Sequence, residues 1–337
     1  MRMIRLASAG IFCGLVFLSA FGCSGPVLSV NDAVVMGGVQ APLTAYLEQP
    51  VGLGFRNGLE EVPVQFSARN QPIGTGRTRD EGNASVVCTL PDPDCSQFEA
   101  TVRLKGRTLR TSGKVFHWDP SRTIIVVDID ETLSVTDYGD LLFSRHDGGS
   151  RPIYGARETM TALARDYHIA YVTARPRFML ERTRRWLREH GFPDGPVMVS
   201  ESWAEWRSQT NFKRNTLARL RQQWPNLLIG IGDKRADVEA YTYNRMLALI
   251  VNEKDADRYG RKAMTMPDWP TLARFFAEHH DVLSRPAMLA ARISPEGKLL
   301  PPPRDAVARR TVPGSQEPQA RRSAAAVPPQ TQRDRRG

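Results

Sequence analysis

The sequence predicts an α/β domain built on a doubly wound parallel β-sheet, preceded by a small all-β sandwich. Between about residues 30 and 118, short segments alternate polar and apolar residues, and turn residues separate them. After Pro120, continuous apolar runs alternate with amphipathic helical segments. Alternation is typical of strands with one buried face, whereas uninterrupted apolar runs are typical of strands covered by helices on both faces.

Length and charge narrow the class of protein. The chain has 337 residues, of which 41% are hydrophobic, and this is enough for two domains. A mean hydropathy of -0.38 and one long apolar stretch exclude a polytopic membrane protein. The net charge of +10 lies mainly at the ends, since residues 301–337 hold eight arginines against three acidic residues and two more arginines start the chain. The folded middle is therefore only weakly basic, and we expect no nucleic-acid partner.

The first 22 residues resemble an export signal. Two arginines precede an apolar run over residues 6–21, which is short for a membrane-spanning helix of about 20 residues. The following AFGC resembles a bacterial lipobox, in which the cysteine is lipidated and becomes the new N terminus. We therefore expect a lipoprotein signal over 1–22, a lipid anchor on Cys23 and a linker over 23–29. This predicts a membrane-anchored protein of the bacterial cell envelope that faces the periplasm; an ordinarily cleaved signal and an uncleaved anchor are the alternatives.

The other two cysteines of the exported part are Cys88 and Cys95, with six residues between them. In an exported protein this spacing predicts a disulfide that closes a small loop. Two free thiols are the alternative. Two cysteines alone do not make a four-ligand zinc site.

The first domain is predicted over residues 30–118. The segments 62–68 (VPVQFSA) and 98–104 (FEATVRL) alternate in polarity, while RNQPIG and RDEGNA are typical of turns. The stretch GTGRTRDEGNASV resembles the strand–turn–strand of bacterial immunoglobulin-like modules. No convergent set of titratable residues is visible here, which favours a spacer or docking module.

The second domain is predicted over residues 120–285. Buried strands are predicted at TIIVV, HIAYVT, PVMVS, NLLIGIG and LALIV. Helices are predicted at GARETMTALARDY, RPRFMLERTRRWLREHG and FKRNTLARLRQQW, with a closing helix around 268–283. Residues 294–337 are rich in Pro and Arg without periodicity, which predicts a disordered tail.

Polar residues recur where the predicted strands end or the helices begin. They are the pair Asp128 and Asp130, Thr173, Lys213, and the pair Asp233 and Asp237. Residues at i and i+2 of an extended segment point the same way, so the first pair is expected to face one site beyond the strand end. In a doubly wound sheet the site lies at the carboxyl ends of the strands.

These residues stand in DIDET, YVTARP, FK and GDKRAD, which in this order resemble the four motifs of haloacid dehalogenase (HAD) superfamily phosphatases. Longer blocks over about residues 122–252 resemble the catalytic domain of lipins, which are Mg-dependent phosphatidate phosphatases. The resemblance implies a HAD-type, Rossmann-like fold. Two positions depart from the pattern: Glu131 stands where many members have Gly, and Asp233 where lipins commonly have Asn.

The resemblance also implies a role for each residue. Phosphomonoester hydrolysis needs a nucleophile, a proton for the leaving oxygen and positive charge around the phosphoryl group. We expect Asp128 to attack phosphorus and form an aspartyl-phosphate. Asp130 then protonates the leaving alkoxide and later takes a proton from water. Thr173 hydrogen-bonds a phosphoryl oxygen, and Lys213 supplies a fixed positive charge.

A magnesium ion is expected in the same place, because several carboxylates would otherwise repel a dianionic substrate. Its predicted ligands are Asp128, the backbone carbonyl of Asp130, and Asp233, with waters completing the shell. Asp237 is expected to orient those waters or Lys213.

The spacing of the motifs bears on the substrate. About 40 residues separate Thr132 from Thr173, and about 40 more separate Thr173 from Lys213, which leaves no room for a large cap domain. An open site favours phosphatidate or a related phospholipid at a membrane surface, with the loop 138–152 as a short flap. The alternatives are a phosphatase for soluble or polymeric phosphomonoesters and a non-catalytic phosphatidate-binding envelope lipoprotein. Lipin relatives that only bind phosphatidate lack the acidic pair that is present here.

Overall fold

The computed structural model describes residues 25–52, 55–135, 150–201, 205, 207–251, 259 and 261–302. Over these residues the chain is mixed α/β. The predicted signal, Cys23, nearly all of the predicted flap and most of the predicted tail lie outside the described residues. No helix in the described ranges is long and apolar enough to cross a membrane.

The first domain consists of two β-sheets that enclose one apolar core. Its strands are β1 (Val27–Val30), β2 (Ala33–Val35), β3 (Gln40–Gly52), β4 (Phe55–Gly58), β5 (Pro63–Ala68), β6 (Gln71–Arg77), β7 (Asn83–Thr89), β8 (Gln97–Leu104) and β9 (Arg107–His117). One sheet has the order β1-β3-β4, with β7 beside β3, and the other has the order β2-β9-β8-β5-β6. The pairs are antiparallel except β2 with β9, which are parallel. Strand β1 begins at Val27, inside the predicted linker, and so shortens that linker.

The apolar residues of the alternating segments point into this core, as expected. In β5 the side chains of Val64, Phe66 and Ala68 are buried and those between them are more exposed. They join Phe98 and Ala100 of β8 in one apolar cluster. Burying every second residue explains why period-2 segments form this part of the chain.

Cys88 and Cys95 are both buried free thiols. The Cys95 thiol donates a hydrogen bond to the carbonyl of Gln97 at 3.3 Å. The Cys88 sulfur packs on Gly74 of β6, where an added Cβ would lie 2.6 Å from it. Burial raises the pKa of the Cys88 thiol. The two sulfurs have different neighbours, and the predicted disulfide is not formed.

The second domain contains the remaining strands and the helices. Its strands are β10 (Ile124–Val127), β11 (Ser134–Val135), β12 (Arg151–Pro152), β13 (His168–Pro176), β14 (Val197–Ser200), β15 (Leu227–Gly232), β16 (Leu247–Val251) and β17 (Met264–Met266). Its helices, numbered here in chain order, are α1 (Ala156–Leu163), α2 (Leu180–Glu189), α3 (Gln209–Gln223), α4 (Arg235–Tyr243), α5 (Trp269–Glu278), α6 (His280–Leu283) and α7 (Pro286–Ala290). Strands β11 and β12 pair as a small hairpin, and the five predicted buried strands and the predicted helices are all present.

Six parallel strands form the central sheet, in the order β14-β13-β10-β15-β16-β17. Ile125 and Val127 of β10 join an apolar cluster that includes residues of α1, α2 and α5. Ile124 and Val126 join a second cluster that includes residues of α3 and α4. Every residue of β10 is therefore buried, which explains its continuous β-branched sequence.

The β domain packs directly on the second domain. Val34 of β2 and Trp118, just after β9, belong to the same buried cluster as Val172 of β13 and Trp224 at the end of α3. The Trp118 and Trp224 rings meet edge to face with centroids 5.1 Å apart. The two domains thus share an apolar core.

A buried ion pair joins the domains at a second point. Oδ2 of Asp32, next to β2, lies 2.9 Å from Nη2 of Arg184 in α2, and both side chains are at most 10% exposed. Removing one partner of such a pair leaves a buried charge uncompensated. The relative position of the β domain is thus fixed by a polar contact as well as by the shared core.

The end of the second domain corrects the predicted tail. Residues 292–300 form a short turn, in which the amide of Leu300 donates to the carbonyl of Arg292 and the amide of Ser294 donates to the carbonyl of Lys298, both at 2.8 Å. Gly297 has a φ of 75°, and its carbonyl accepts from the amide of Ala248 in β16. The described chain is therefore ordered past residue 294, because this turn docks on the sheet.

We expect the stability of the fold to depend on His168 at mildly acidic pH. Its Nε2 accepts a hydrogen bond from the amide of Asp119 at 2.9 Å, and its ring stacks on Trp118. Burial, with the positive charge of Arg122, lowers the pKa of His168. The unfolded chain therefore binds this proton more tightly, so the free energy of unfolding falls as the pH drops through about 6.5. The expected loss is about 1 kcal/mol, the scale of one hydrogen bond.

Urea unfolding of the wild type and of His168→Gln between pH 5 and 8 measures this effect. Glutamine can accept the same hydrogen bond without titrating. The difference between the two proteins should therefore change with pH around 6, and a constant difference would contradict the prediction.

Candidate active site

The predicted site residues lie at the carboxyl ends of the central strands. Asp128 and Asp130 follow β10, Thr173 lies in the second half of β13, Asp233 follows β15, and Lys213 and Asp237 lie near the starts of α3 and α4. All six are buried. The parallel order of the strands places their carboxyl ends at one edge, as expected for a site of this kind.

Lys213 joins two of the carboxylates. Its Nζ lies 2.9 Å from Asp128 Oδ1 and 2.5 Å from Asp237 Oδ1, and its side chain is only 1% exposed. Burial opposes the positive charge, but the two carboxylates outweigh this effect and raise the pKa of Lys213. Lys213 is therefore a fixed cation beside Asp128.

Asp237 is held from its other side by the start of α4. Its Oδ2 accepts from the backbone amides of Asp233 and Lys234, at 3.4 and 3.3 Å. An added Cβ on Gly232 would lie 2.5 Å from the Asp237 Cβ, so only glycine lets the end of β15 approach this closely. The glycine in GIGD is thus part of how the site is built.

Asp130 has different partners from Asp128. Its Oδ1 accepts from Nη2 of Arg175 at 2.7 Å, and Nε of the same guanidinium lies 3.1 Å away. The hydroxyl of Thr173 donates to Asp130 Oδ2 at 2.9 Å. A further bond from Arg175 Nη1 to Thr183 of α2, at 3.2 Å, fixes the guanidinium. Asp130 thus forms a buried, two-pronged ion pair.

The sequence did not single out Arg175. Its signal is its place in YVTARP, two residues after Thr173, where an extended chain points both side chains the same way. An arginine that follows a buried strand usually reaches solvent. Only the folded chain brings Asp130 to it, from another strand end.

Three carboxylates form the group that suits a metal ion. Asp128, Asp233 and Asp237 each place one carboxylate oxygen within 4.8 Å of the others. The Oδ2 of Asp128 is buried and accepts no hydrogen bond from any described residue. Burial and the negative charge of Asp237 raise the pKa of Asp128, although the positive charge of Lys213 opposes this shift. The same two causes raise the pKa of Asp233 to about 6. An oxygen-ligated divalent cation fits three carboxylates held this close together, one of which has an oxygen without a hydrogen-bond donor among the described residues.

Two more residues line this group without having been predicted. The hydroxyl of Thr132 donates to Asp233 Oδ1 at 3.1 Å. The Nζ of Lys234 lies 3.8 Å from the same oxygen and 3.9 Å from Asp128 Oδ2. Lys234 immediately follows Asp233 in GDKRAD, and this position in the sequence could have indicated that it lies at the site.

Glu131 takes a backbone conformation that favours glycine. Its φ is 63°, and its amide donates to the carbonyl of Ser134 at 2.9 Å. This left-handed turn folds the chain back after Asp130, toward the β11–β12 hairpin. The conformation gives a physical reason for the glycine that is common at this position, and glutamate adopts it here at some conformational cost.

Comparison with known proteins supports part of this picture. Residues 125–248 match the family model described as "PITM 1-3, LNS2 domain". No curated protein matches the chain.

Among solved structures, the chain is similar to a chain of the Pnkp1/Rnl/Hen1 RNA repair complex at 14% identity, with a TM-score of 0.31 over 36% of this chain and 39% of that one. It is also similar to the human B7-H4 IgV-like domain at 9% identity, with a TM-score of 0.20 over 27% of this chain and 96% of that one. These scores carry no argument about fold or function. The chain spans less than half of the RNA-repair chain. The family match supports a lipin-like, HAD-type phosphatase within residues 125–248.

Proposed function

We propose that this protein is a Mg-dependent phosphatase that hydrolyses a phosphomonoester through an aspartyl-phosphate on Asp128. The domain that carries the site is proposed to be a HAD-type, Rossmann-like, doubly wound fold without a large cap. One observation supports this most. Lys213 holds one oxygen of the Asp128 carboxylate, and the other accepts no hydrogen bond from the described residues.

In the first step an oxygen of Asp128 attacks phosphorus, and the bond from phosphorus to the leaving oxygen breaks. Asp130 enters this step in its protonated form, gives its proton to the leaving alkoxide, and becomes the carboxylate that pairs with Arg175 in the structure. In the second step a water oxygen attacks the aspartyl-phosphate, Asp130 takes the proton of that water, and the Asp128 carboxylate is released with inorganic phosphate. Arg175 fixes where the Asp130 carboxylate lies in both steps.

Three groups are proposed to stabilise the charge of the phosphoryl group. Lys213 lies beside Asp128. The hydroxyl of Thr173, which donates to Asp130 in the structure, is proposed to donate to a phosphoryl oxygen when substrate is bound. Mg²⁺ bound through Asp128, Asp233 and the backbone carbonyl of Asp130 would neutralise phosphoryl charge. Asp237 orients Lys213, in line with its contact of 2.5 Å.

The proposed substrate is phosphatidate or a related phospholipid. The family match and the resemblance to lipins support a lipid phosphate. So do exposed apolar side chains at the ends of β11, β12 and β13: Val135, Tyr154 and Phe178 are 60%, 88% and 46% exposed. Contact with a lipid surface would remove these apolar side chains from water. We also propose that Cys23 anchors the exported chain to an envelope membrane, with the β domain, an immunoglobulin-like sandwich, next to the anchor.

Phosphate release with two substrates tests the proposal. Residues 25–337, without the predicted signal, are assayed on phosphatidate in mixed micelles and on a soluble aryl phosphate, with Mg²⁺ and with EDTA. We expect Mg-dependent turnover that is much faster on phosphatidate. Asp128→Asn, which keeps the size of the side chain, should lower it by at least about 10³-fold because the nucleophile is gone.

The other outcomes separate the alternatives. A faster reaction on the soluble ester would keep the phosphatase and remove the lipid. Binding to phosphatidate vesicles without phosphate release, unchanged in Asp128→Asn, would indicate a non-catalytic phosphatidate-binding protein.

A further inference from the structure

We propose that Lys234 is a built-in competitor for the divalent cation: its ammonium group occupies the space between Asp128 and Asp233, and cation binding displaces it. This inference rests on the proposed metal-dependent function, and it adds a residue that sets how tightly the cation is held.

The two lysines of the site differ in how they are held. Lys213 is locked, with contacts of 2.5 and 2.9 Å and a side chain 1% exposed. Lys234 stands at 3.9 Å from Asp128 Oδ2 and 3.8 Å from Asp233 Oδ1, and its side chain is 29% exposed. It is therefore close enough to neutralise both carboxylates and too distant for a tight hydrogen bond to either of these oxygens.

The carboxylate oxygen that Lys234 faces on Asp128 is the one that lacks a hydrogen-bond donor among the described residues. Asp128 Oδ2 is buried and accepts no hydrogen bond from the described residues. A buried carboxylate oxygen without a donor is costly, and a cation bound directly to it would remove that cost. The ammonium group reduces the cost only through its charge.

The charges of the group favour the exchange. Asp128, Asp233 and Asp237 carry three negative charges against the two positive charges of Lys213 and Lys234. With a divalent cation in place of the Lys234 ammonium, the inner group becomes neutral. With both present, it would carry excess positive charge in a poorly solvated site, and the two cations would repel each other.

The backbone allows this movement. Lys234 directly precedes α4, and its amide donates to Asp237 at 3.3 Å, which fixes the main chain. Its four-carbon side chain already reaches solvent in part, so the ammonium group can swing outward without moving α4.

Replacing the ammonium tests the proposal. Magnesium binding to wild type and Lys234→Met is measured by calorimetry without substrate, together with the thermal unfolding midpoint with and without Mg²⁺. Methionine has a similar length, no charge and no hard oxygen ligand. The matched control is Lys105→Met, which removes the same charge from an exposed turn between β8 and β9.

We expect Lys234→Met to bind Mg²⁺ about tenfold more tightly than wild type, because the competing charge is gone. Its unfolding midpoint should rise more on adding Mg²⁺ than that of the wild type, while Lys105→Met should match the wild type in both measurements. An equal or weaker affinity in Lys234→Met would overturn the proposal. If the wild type releases phosphate with Mg²⁺ while Lys234→Met gains no affinity, the proposed function stands and this inference fails. If no variant binds Mg²⁺, both fail.

Discussion

Replacing Lys213 by methionine is expected to lower phosphate release by about 10²–10³-fold, since the fixed charge beside the phosphoryl group is lost. It is also expected to lower the free energy of unfolding by about 3–5 kcal/mol, because Asp128 and Asp237 lose their shared buried cation. Initial rates at saturating Mg²⁺ and urea unfolding without Mg²⁺ measure the two effects.

A second substitution separates charge from packing. Adding Asp237→Asn to Lys213→Met removes one of the two stranded charges and should restore part of the stability without restoring turnover. A single Lys213→Met variant that keeps wild-type turnover would show that this lysine takes no part in the reaction.

Replacing Arg175 by methionine is expected to cost about as much stability, because the Asp130 carboxylate would remain buried with Thr173 as its hydroxyl donor but without its cation. Turnover should fall with it, since Asp130 would no longer be held where it exchanges protons with the substrate. Urea unfolding and initial rates measure both quantities.

The double variant Arg175→Met with Asp130→Asn is the informative control. It removes both charges of the pair, so most of the lost stability should return while the protein stays inactive. Additive losses in the double variant would mean that the two residues do not depend on each other, contrary to the bidentate contact.

The strands and the edge that holds the site could be predicted because their signals are local. A continuous apolar run such as the one before Asp128 indicates a strand buried on both faces, and polar residues that follow such runs meet at one edge. The pairing of the first two aspartates was less predictable. They were expected to face one site, and the sequence did not indicate that their partners differ: Asp128 contacts Lys213, whereas Asp130 contacts Thr173 and Arg175.

The features that could not be predicted from the sequence depend on contacts between segments that are distant along the chain. Arg175 resembles a solvated arginine until Asp130, 45 residues earlier, is brought to it. Gly297 looks like part of a disordered tail until its carbonyl meets Ala248 of β16. Cys88 and Cys95 have a spacing that permits a bridge, but β7 points one sulfur at Gly74 while the other bonds to Gln97.

The cluster that Val34 and Trp118 share with Val172 and Trp224 bears on where this protein can be divided. A fragment that began at residue 120, close to the first residue of the family match, would lack Val34 and Trp118 and would uncover the part of this cluster that they cover. Uncovering a large apolar side chain costs about 1.5–3 kcal/mol, and several would be uncovered together. The span that matches the family model is therefore shorter than the span expected to fold as one unit, and the two domains are expected to melt in a single cooperative transition.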